Sequence, residues 1–434
     1  MPARDFTHDV AVIGGGPSGS TAASLLAAAG RRVVLFEKER FPRFHIGESL
    51  LPFNLDLFRR LGVLDPLKAC FVEKWGVQLL SSDGSVGHRI RFEEGFAPGH
   101  PMAFQVLRSR FDEMLLHNAV ARGADVHQGH TVVEAVPSHR HGCDVVALAR
   151  DGSTVKARAR FLLDASGRNA FVASRRRLRV MTPTLRKAAV FAHYEGVARA
   201  AGRDAGDIVL IFLRDGWFWM IPLPDARTSV GLVTDGTVVK SSGLSPEELL
   251  ETSLDRCPAA RERLRGATRA SEVLAESDYS YACLELAGDG YLLVGDAAAF
   301  IDPVFSTGVW LGMSSAEVAA DILVDALQRD DGSGESLAPH AFASYERRVR
   351  RHVRTYSQLV TQFYSPGFMD LFLQPSARFR IKEAVISLMA GMFDPPPAIR
   401  TRLACFYLAV RLQRSLNLFP RVPLMRVLES EAPR

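Results

Sequence analysis

No run of about 18 apolar residues occurs anywhere in the 434-residue chain, so no membrane-spanning helix is expected. The N-terminus, Met1-Pro2-Ala3-Arg4-Asp5, leads straight into a strand instead of through the regions of a secretory signal, and the expectation is a cytoplasmic protein. Cysteine is scarce. Cys70, Cys143, Cys257, Cys283 and Cys405 are odd in number and far apart, which excludes a disulfide framework and a cysteine-held metal and predicts reduced thiols. Charge of one sign is lacking too: 53 Lys and Arg against 48 Asp and Glu leave +5, too small an excess to argue for nucleic acid. Neither an internal repeat nor a low-complexity tract is present.

What remains is the composition of an ordinary globular protein, 47% hydrophobic and 23% charged. Its length exceeds the usual limit of one compact core, so two domains are expected. The 26 Phe among the aromatics suggest apolar pockets.

The first motif lies at the start. Asp9-Val10-Ala11-Val12-Ile13 is a short apolar strand, Gly14-Gly15-Gly16-Pro17-Ser18-Gly19 follows, and Ser20 to Ala29 is an Ala/Leu-rich helix. In strand, Gly-x-Gly-x-x-Gly, helix, Gly14 makes the tight turn, Gly16 admits a pyrophosphate to the backbone at Ser18, and Gly19 permits close helix packing. A second strand, Val33-Val34-Leu35-Phe36, ends in Glu37, the expected acceptor for a ribose hydroxyl. The two strands and the acid make this fingerprint far more specific than its glycines alone, and a dinucleotide site follows. Further on, Asp164-Ala165-Ser166-Gly167-Arg168 and Gly295-Asp296-Ala297-Ala298 each follow an apolar strand.

With these three segments the sequence resembles the FAD-dependent oxidoreductases of the glutathione-reductase-like, hydroxybenzoate-hydroxylase-like α/β fold. The resemblance implies that the segments around Asp164, Gly167 and Asp296 close over FAD, with Asp296 at the ribitol. It also places Arg43 and Arg108 at the phosphates or ring, where the competing reading is a surface salt bridge. Short alternating strands at about 75–105 and 181–275 suggest an antiparallel sheet laid over the flavin. The expected organisation is therefore a discontinuous FAD domain (1–74, 105–180 and 276–340), an antiparallel substrate domain (75–104 and 181–275) and a helical C-terminal region (341–434). That tail is broken by Pro366, Pro375 and Pro395-Pro396-Pro397.

Within the second sheet lies Trp217-Phe218-Trp219-Met220-Ile221-Pro222, a strand with Trp217, Trp219 and Ile221 on one face. Its bland reading is a two-sided core strand. Together with Lys74 in Phe71-Val72-Glu73-Lys74-Trp75-Gly76, and with Asp302-Pro303-Val304-Phe305-Ser306-Thr307-Gly308, it resembles the flavin-dependent halogenases, whose signature is Trp-x-Trp-x-Ile-Pro. That resemblance implies that reduced FAD from a separate flavin reductase, O2 and chloride or bromide yield hypohalous acid at the flavin. Thr307 and Gly308, the latter also beside FAD, would hold the halide, with Pro303, Phe305 and Ser306 close by. Trp217 and Trp219 would bar the substrate from the flavin, and Lys74, with a suppressed pKa, would receive the oxidant at the far end. Asp278 is expected near the flavin ring or as a turn residue, and His45 is read as FAD-lining.

Phe305 stands where tryptophan-type halogenases carry a glutamate, so the resemblance is to phenol- and pyrrole-type enzymes, acting on a small aromatic substrate that is free or tethered to a carrier protein. Arg347, Arg350, Arg351 and Arg354 line one helical face, either a solvated stripe or a dock for an acidic carrier; Arg175-Arg176-Arg177 with Arg179 is expected as a solvated loop. The competing readings are an FAD-dependent aromatic hydroxylase or related reductase of the same fold, and a non-catalytic flavoprotein interaction module.

Overall fold

The structure, a computed structural model, describes residues 6–183, 185–277, 280–365, 367–374 and 378–428. Val10 to Ile13 and Val33 to Glu37 are buried throughout, as strands covered on both faces must be. They form the middle of a sheet in which Tyr291–Leu293, Thr154–Asp164, His8–Ile13, Val33–Glu37 and Asp125–Gln128 run parallel in that order. The hairpin of His130–Ser138 and Gly142–Ala149 extends it antiparallel onto Thr154–Asp164. Helix Pro17–Ala28 packs between Arg108–Ala121 and Thr307–Arg329. The register sets Ile13 beside both Phe36 and Asp164, and Asp164 beside Leu293. Every loop picked out by its motif therefore leaves from the carboxyl edge, where α/β sheets bind ligands.

The second sheet has the order Thr268–Arg269, Lys187–Glu195, Arg227–Asp235, Gly216–Pro222, Ile208–Phe212, Gly76–Ser81, Gly87–Arg91, with Leu274–Ser277 also on Lys187–Glu195. It departs from the antiparallel expectation at one place, since Ile208–Phe212 runs parallel to Gly76–Ser81. The chain between these two strands contributes Asp125–Gln128, the hairpin and Thr154–Asp164 to the first sheet, and so long a connection allows a parallel return. Two strand pairs also straddle the expected domain limits. Leu274–Ser277 spans the 275/276 limit, and Val72–Lys74 pairs with Ala103–Gln105 across the limits at 74/75 and 104/105.

Beyond residue 341 the chain is helical, and its helices share the core. In Ala343–Phe363 the buried Tyr345, Val349, His352, Tyr356, Leu359, Val360 and Phe363 recur at helical spacing and seal one face. Helix Pro397–Leu416 begins with the third proline of its run at the first helical position, where a missing N–H costs nothing. Pro366 and Pro375 lie outside the described residues. The last described stretch returns to the second sheet, where Arg214 N–H donates to Met425 O and Val427 N–H to Asp215 Oδ1.

Candidate active site

A cavity of about 860 Å³ lies between the carboxyl edge of the first sheet and one face of the second. Gly14, Gly16, Ser18 and Glu37 line one end of it. A Cβ on Gly19 would meet Gly14 O at 1.9 Å, and one on Gly14, whose φ is +100°, would meet Ala165 O at 2.4 Å. Side chains are thus excluded where the turn presses on helix and strand, while Gly16 faces only Arg43 Nη2. The helix from Pro17 has no side-chain cap, so its first amides are left for an anion. Glu37 accepts from Gly15 N at 2.7 Å and from Glu39 N at 2.8 Å, which fixes the carboxylate at the cavity wall. The donors, the shape and a volume suited to a large cofactor all fit FAD.

Arg43 and Arg108 line the same cavity and share Asp112, at 3.4 Å and 2.7 Å. Arg108 also donates to Ile46 O and clamps the segment around Gly47. Burial and the Arg108 charge push His45 down to about 4, so it sits in this segment as a neutral ring. Gly167 and Asp296 line the cavity, and desolvation raises the Asp296 carboxyl to about 6 against Arg168 and Arg108. Asp164 behaves differently. Its oxygens accept from Ser166 N at 3.0 Å and Val172 N at 2.7 Å, bracing the loop that carries Gly167, and it does not line the cavity.

The roof is a face of the second sheet, carrying Phe191, Leu210, Trp217, Trp219 and Ile221. Trp217 and Trp219 are buried, with ring centroids 5.9 Å apart. Trp219 has room because its cross-strand neighbour is Gly231, where a Cβ would lie 2.2 Å from the indole; its Nε1–H donates to Ser229 Oγ at 3.1 Å. Trp217 Nε1–H donates to Tyr364 Oη at 3.1 Å, and Tyr364 donates to Asp302 Oδ2 at 3.1 Å. This chain ties the tryptophan strand to the end of the helix Ala343–Phe363 and to the loop before Thr307. Burial raises the Asp302 carboxyl to about 7, opposed by Val304 N–H, Tyr364 and Lys187.

Pro303, Ser306 and Gly308 line the cavity, whereas Thr307 starts the 23-residue helix from behind the wall. Ser306 is left-handed, with φ 56°, and supplies no side-chain cap, so the positive helix end meets the cavity with its first amides uncapped. Phe305 is turned away. It packs edge-on to Phe363, centroids 5.4 Å apart, and belongs to the core behind the turn.

Lys74 is 1% exposed and does not line the cavity. The extended segment at Ser49 bridges to Gln105, Ala103–Gln105 pairs with Val72–Lys74, and this small assembly sets Lys74 Nζ 2.8 Å from Ser49 Oγ and 2.9 Å from Leu50 O. Desolvation pulls the Lys74 amine down to about 7, with Asp207 opposing. Adjacent to Ser49, Glu48 points to His193 Nε2 at 2.8 Å, and its Oε2 is buried with no partner in the described structure.

The partners of Ser49 and Glu48, and the parts played by His193 and Tyr364, escape sequence reasoning, because each contact comes from a distant segment. The Gly47-Glu48-Ser49 stretch beside a lone histidine and arginine is the only local trace of the first two. Asp278 lies outside the described residues. The arginine run is exposed at Arg175, Arg176 and Arg177, as expected, while Arg179 is half-buried; the guanidinium groups of Arg175, Arg176 and Arg179 lie over the rings of Phe171, Tyr291 and Tyr281. Of the second basic face, Arg350 is engaged by Glu346 and by Cys283 O, while Arg347, Arg351 and Arg354 are exposed. Among the described residues no cluster could hold a metal ion, and no helix is long and apolar enough to cross a membrane.

Residues 7–356 match the FAD binding domain family. The chain is 33% identical over 414 residues to the 1H-pyrrole-2-carbonyl peptidyl-carrier-protein chlorinase of Pseudomonas fluorescens, covering 89% of this chain and 90% of that one. It is 34% identical over 367 residues to the tryptophan 2-halogenase of Chondromyces crocatus, covering 82% and 67%. The structure superposes on the flavin-dependent brominase Bmp2 with a TM-score of 0.80 at 27% identity, covering 94% of this chain and 100% of that one. A chain with this cavity and these relatives is an FAD-binding oxidoreductase, and it belongs to the flavin-dependent halogenases.

Proposed function

We propose that the protein halogenates an electron-rich phenolic or pyrrolic ring, free or on a carrier protein, with hypohalous acid made in the cavity and used at Lys74. The observation that carries this reading is the placement of Lys74, a buried amine lowered to about 7 that stands behind Ser49 and outside the cavity. Bound reduced FAD supplies the two electrons by which O2, halide and a proton become hypohalous acid and water. The uncapped helix start at Thr307 and Gly308 receives the halide on backbone N–H groups. Trp217 and Tyr364 hold that end, and Ile221 marks the other, about 13 Å along the strand at about 3.3 Å per residue. Trp219 fills the interval and keeps an aromatic ring from the flavin, so only a small oxidant travels the stripe. At its end the Lys74 amine, free of its proton above about pH 7, takes the halogen or aligns the oxidant for the ring.

The carrier-bound substrate class rests on the chlorinase relative, named for a pyrrole on a peptidyl carrier protein. The exposed Arg347, Arg351 and Arg354 offer an acidic carrier a basic face. A separate flavin reductase is the proposed source of reduced FAD. Purified protein given reduced FAD, O2 and chloride with a panel of phenols, carrier-bound pyrrole-2-carbonyl and free tryptophan should yield the chlorine isotope pattern on a phenol or pyrrole. Hydroxylated product without halogenated product, or tryptophan as the sole substrate, contradicts the reading.

A further inference from the structure

Lys74 Nζ has two hydrogen-bond partners, and one of them belongs to a residue that lines the cavity. Leu50 offers Lys74 a carbonyl oxygen, which accepts and cannot donate, and Leu50 does not line the cavity. Ser49 differs on both counts. Its hydroxyl accepts from Lys74 Nζ at 2.8 Å, it lines the cavity, and its own hydrogen is not committed to any acceptor in the described structure. Ser49 is itself buried and fixed by backbone, since Glu48 O accepts from Val106 N at 2.7 Å and Leu50 N donates to Phe104 O at 2.9 Å on either side of it. A hydroxyl with a donor behind it and a cavity before it can pass a proton on.

We infer that Ser49 is the proton relay between the Lys74 amine and the oxidant in the cavity. The inference rests on the proposed use of hypohalous acid at Lys74. As the amine nitrogen bonds to the halogen, the halogen–oxygen bond breaks and hydroxide departs on the far side of the halogen from the nitrogen. The amine must lose a proton and the hydroxide must gain one, and the two atoms do not touch. Ser49 Oγ takes the proton from Nζ while its own hydroxyl proton goes to the departing oxygen. The balance is one N–H and one HOX converted to one N–X and one water, with no further oxidant. Ser49 also aims the amine, because Nζ is held between its Oγ and Leu50 O.

The test is a single turnover with reduced FAD, O2 and chloride and no aromatic substrate, followed by rapid desalting and assay of the oxidant retained on the protein by iodide oxidation. Wild type, Ser49→Ala, Ser49→Thr and Lys74→Ala are compared, each with its FAD affinity titrated by absorbance and with a small soluble amine present to capture released oxidant. Ser49→Ala should bind FAD as wild type, load Lys74 about 100-fold more slowly and pass its oxidant to the soluble amine. Ser49→Thr, which keeps the hydroxyl, should recover most of the rate. Wild-type loading by Ser49→Ala overturns the relay, as does Ser49→Thr no better than Ser49→Ala, or loss of FAD affinity in Ser49→Ala, which would assign the hydroxyl to the cofactor. Retained oxidant in Lys74→Ala equal to wild type would instead overturn the role of Lys74 on which the relay rests.

Discussion

The two ends of the cavity are built by opposite strategies. The glycine end is local: turn, strand and helix lie within residues 8–28, and its geometry is forced by backbone contacts that no side chain could share. The lysine end is assembled from segments near residues 49, 74, 104 and 207, none of which could form it alone. Local construction secures a cofactor shared by many oxidoreductases, whereas long-range construction lets a buried amine be desolvated and aimed. On the proposed reading, the halogenating chemistry belongs to the second kind.

The sharpest way to break the first end is Gly19→Ala. Its Cβ has Gly14 O at 1.9 Å and nowhere to go, so protein purified from this variant should carry no FAD absorbance and should melt well below wild type. At the other end Lys74→Ala should leave FAD affinity intact while product formation falls by about 10²–10⁴-fold. Lys74→Arg should do no better, since a guanidinium stays protonated. The contrast between a variant that loses the cofactor and one that keeps it while losing chemistry is what the two strategies imply.

The buried amine also separates the ends by pH. Its folded pKa of about 7 lies below its ordinary value near 10.5, so the unfolded chain binds the extra proton between those values and stability falls as pH drops from about 10 to 7. Lys74→Met should therefore raise stability at pH 7 by a few kcal/mol in denaturant melts and flatten the pH dependence, while activity is lost. In wild type, the rate should rise with pH through about 7 as the amine is freed. Smaller effects lie between the ends. Gly231→Ala places a methyl against the Trp219 indole and should shift tryptophan fluorescence, with several-fold more oxidant escaping per product. Charge reversal at Arg347 and Arg354 should slow a carrier-bound substrate several-fold at low salt and spare a free one. Arg350 is not suited to that test, since it fastens the helix to Cys283 O.

Legibility follows the same division. The glycine fingerprint, Glu37 and the Asp164 and Asp296 loops could be read because each is a strand and its own turn. Asp164 shows the limit: its motif marks the right loop, but both of its oxygens serve that loop's backbone. Trp217, Trp219 and Lys74 were legible only by resemblance, and nothing in the sequence placed Lys74 outside the cavity or made Ser49 its neighbour, because pairing across about 25 residues of sequence is a tertiary event. The parallel pair of Ile208–Phe212 with Gly76–Ser81 was missed for the same reason. Phe305, noticed only because the resemblance leads one to expect a glutamate there, packs its side chain on Phe363 in place of facing the cavity.

The central claim is that the oxidant formed in the cavity is used at Lys74. It is tested most directly by peptide mass spectrometry of the protein after one turnover with reduced FAD, O2 and chloride but no aromatic substrate. The account predicts one chlorine in place of one hydrogen on the peptide containing Lys74, discharged when a substrate is added; a Lys74 peptide that stays unmodified while the enzyme goes on to halogenate substrate at full rate would contradict it.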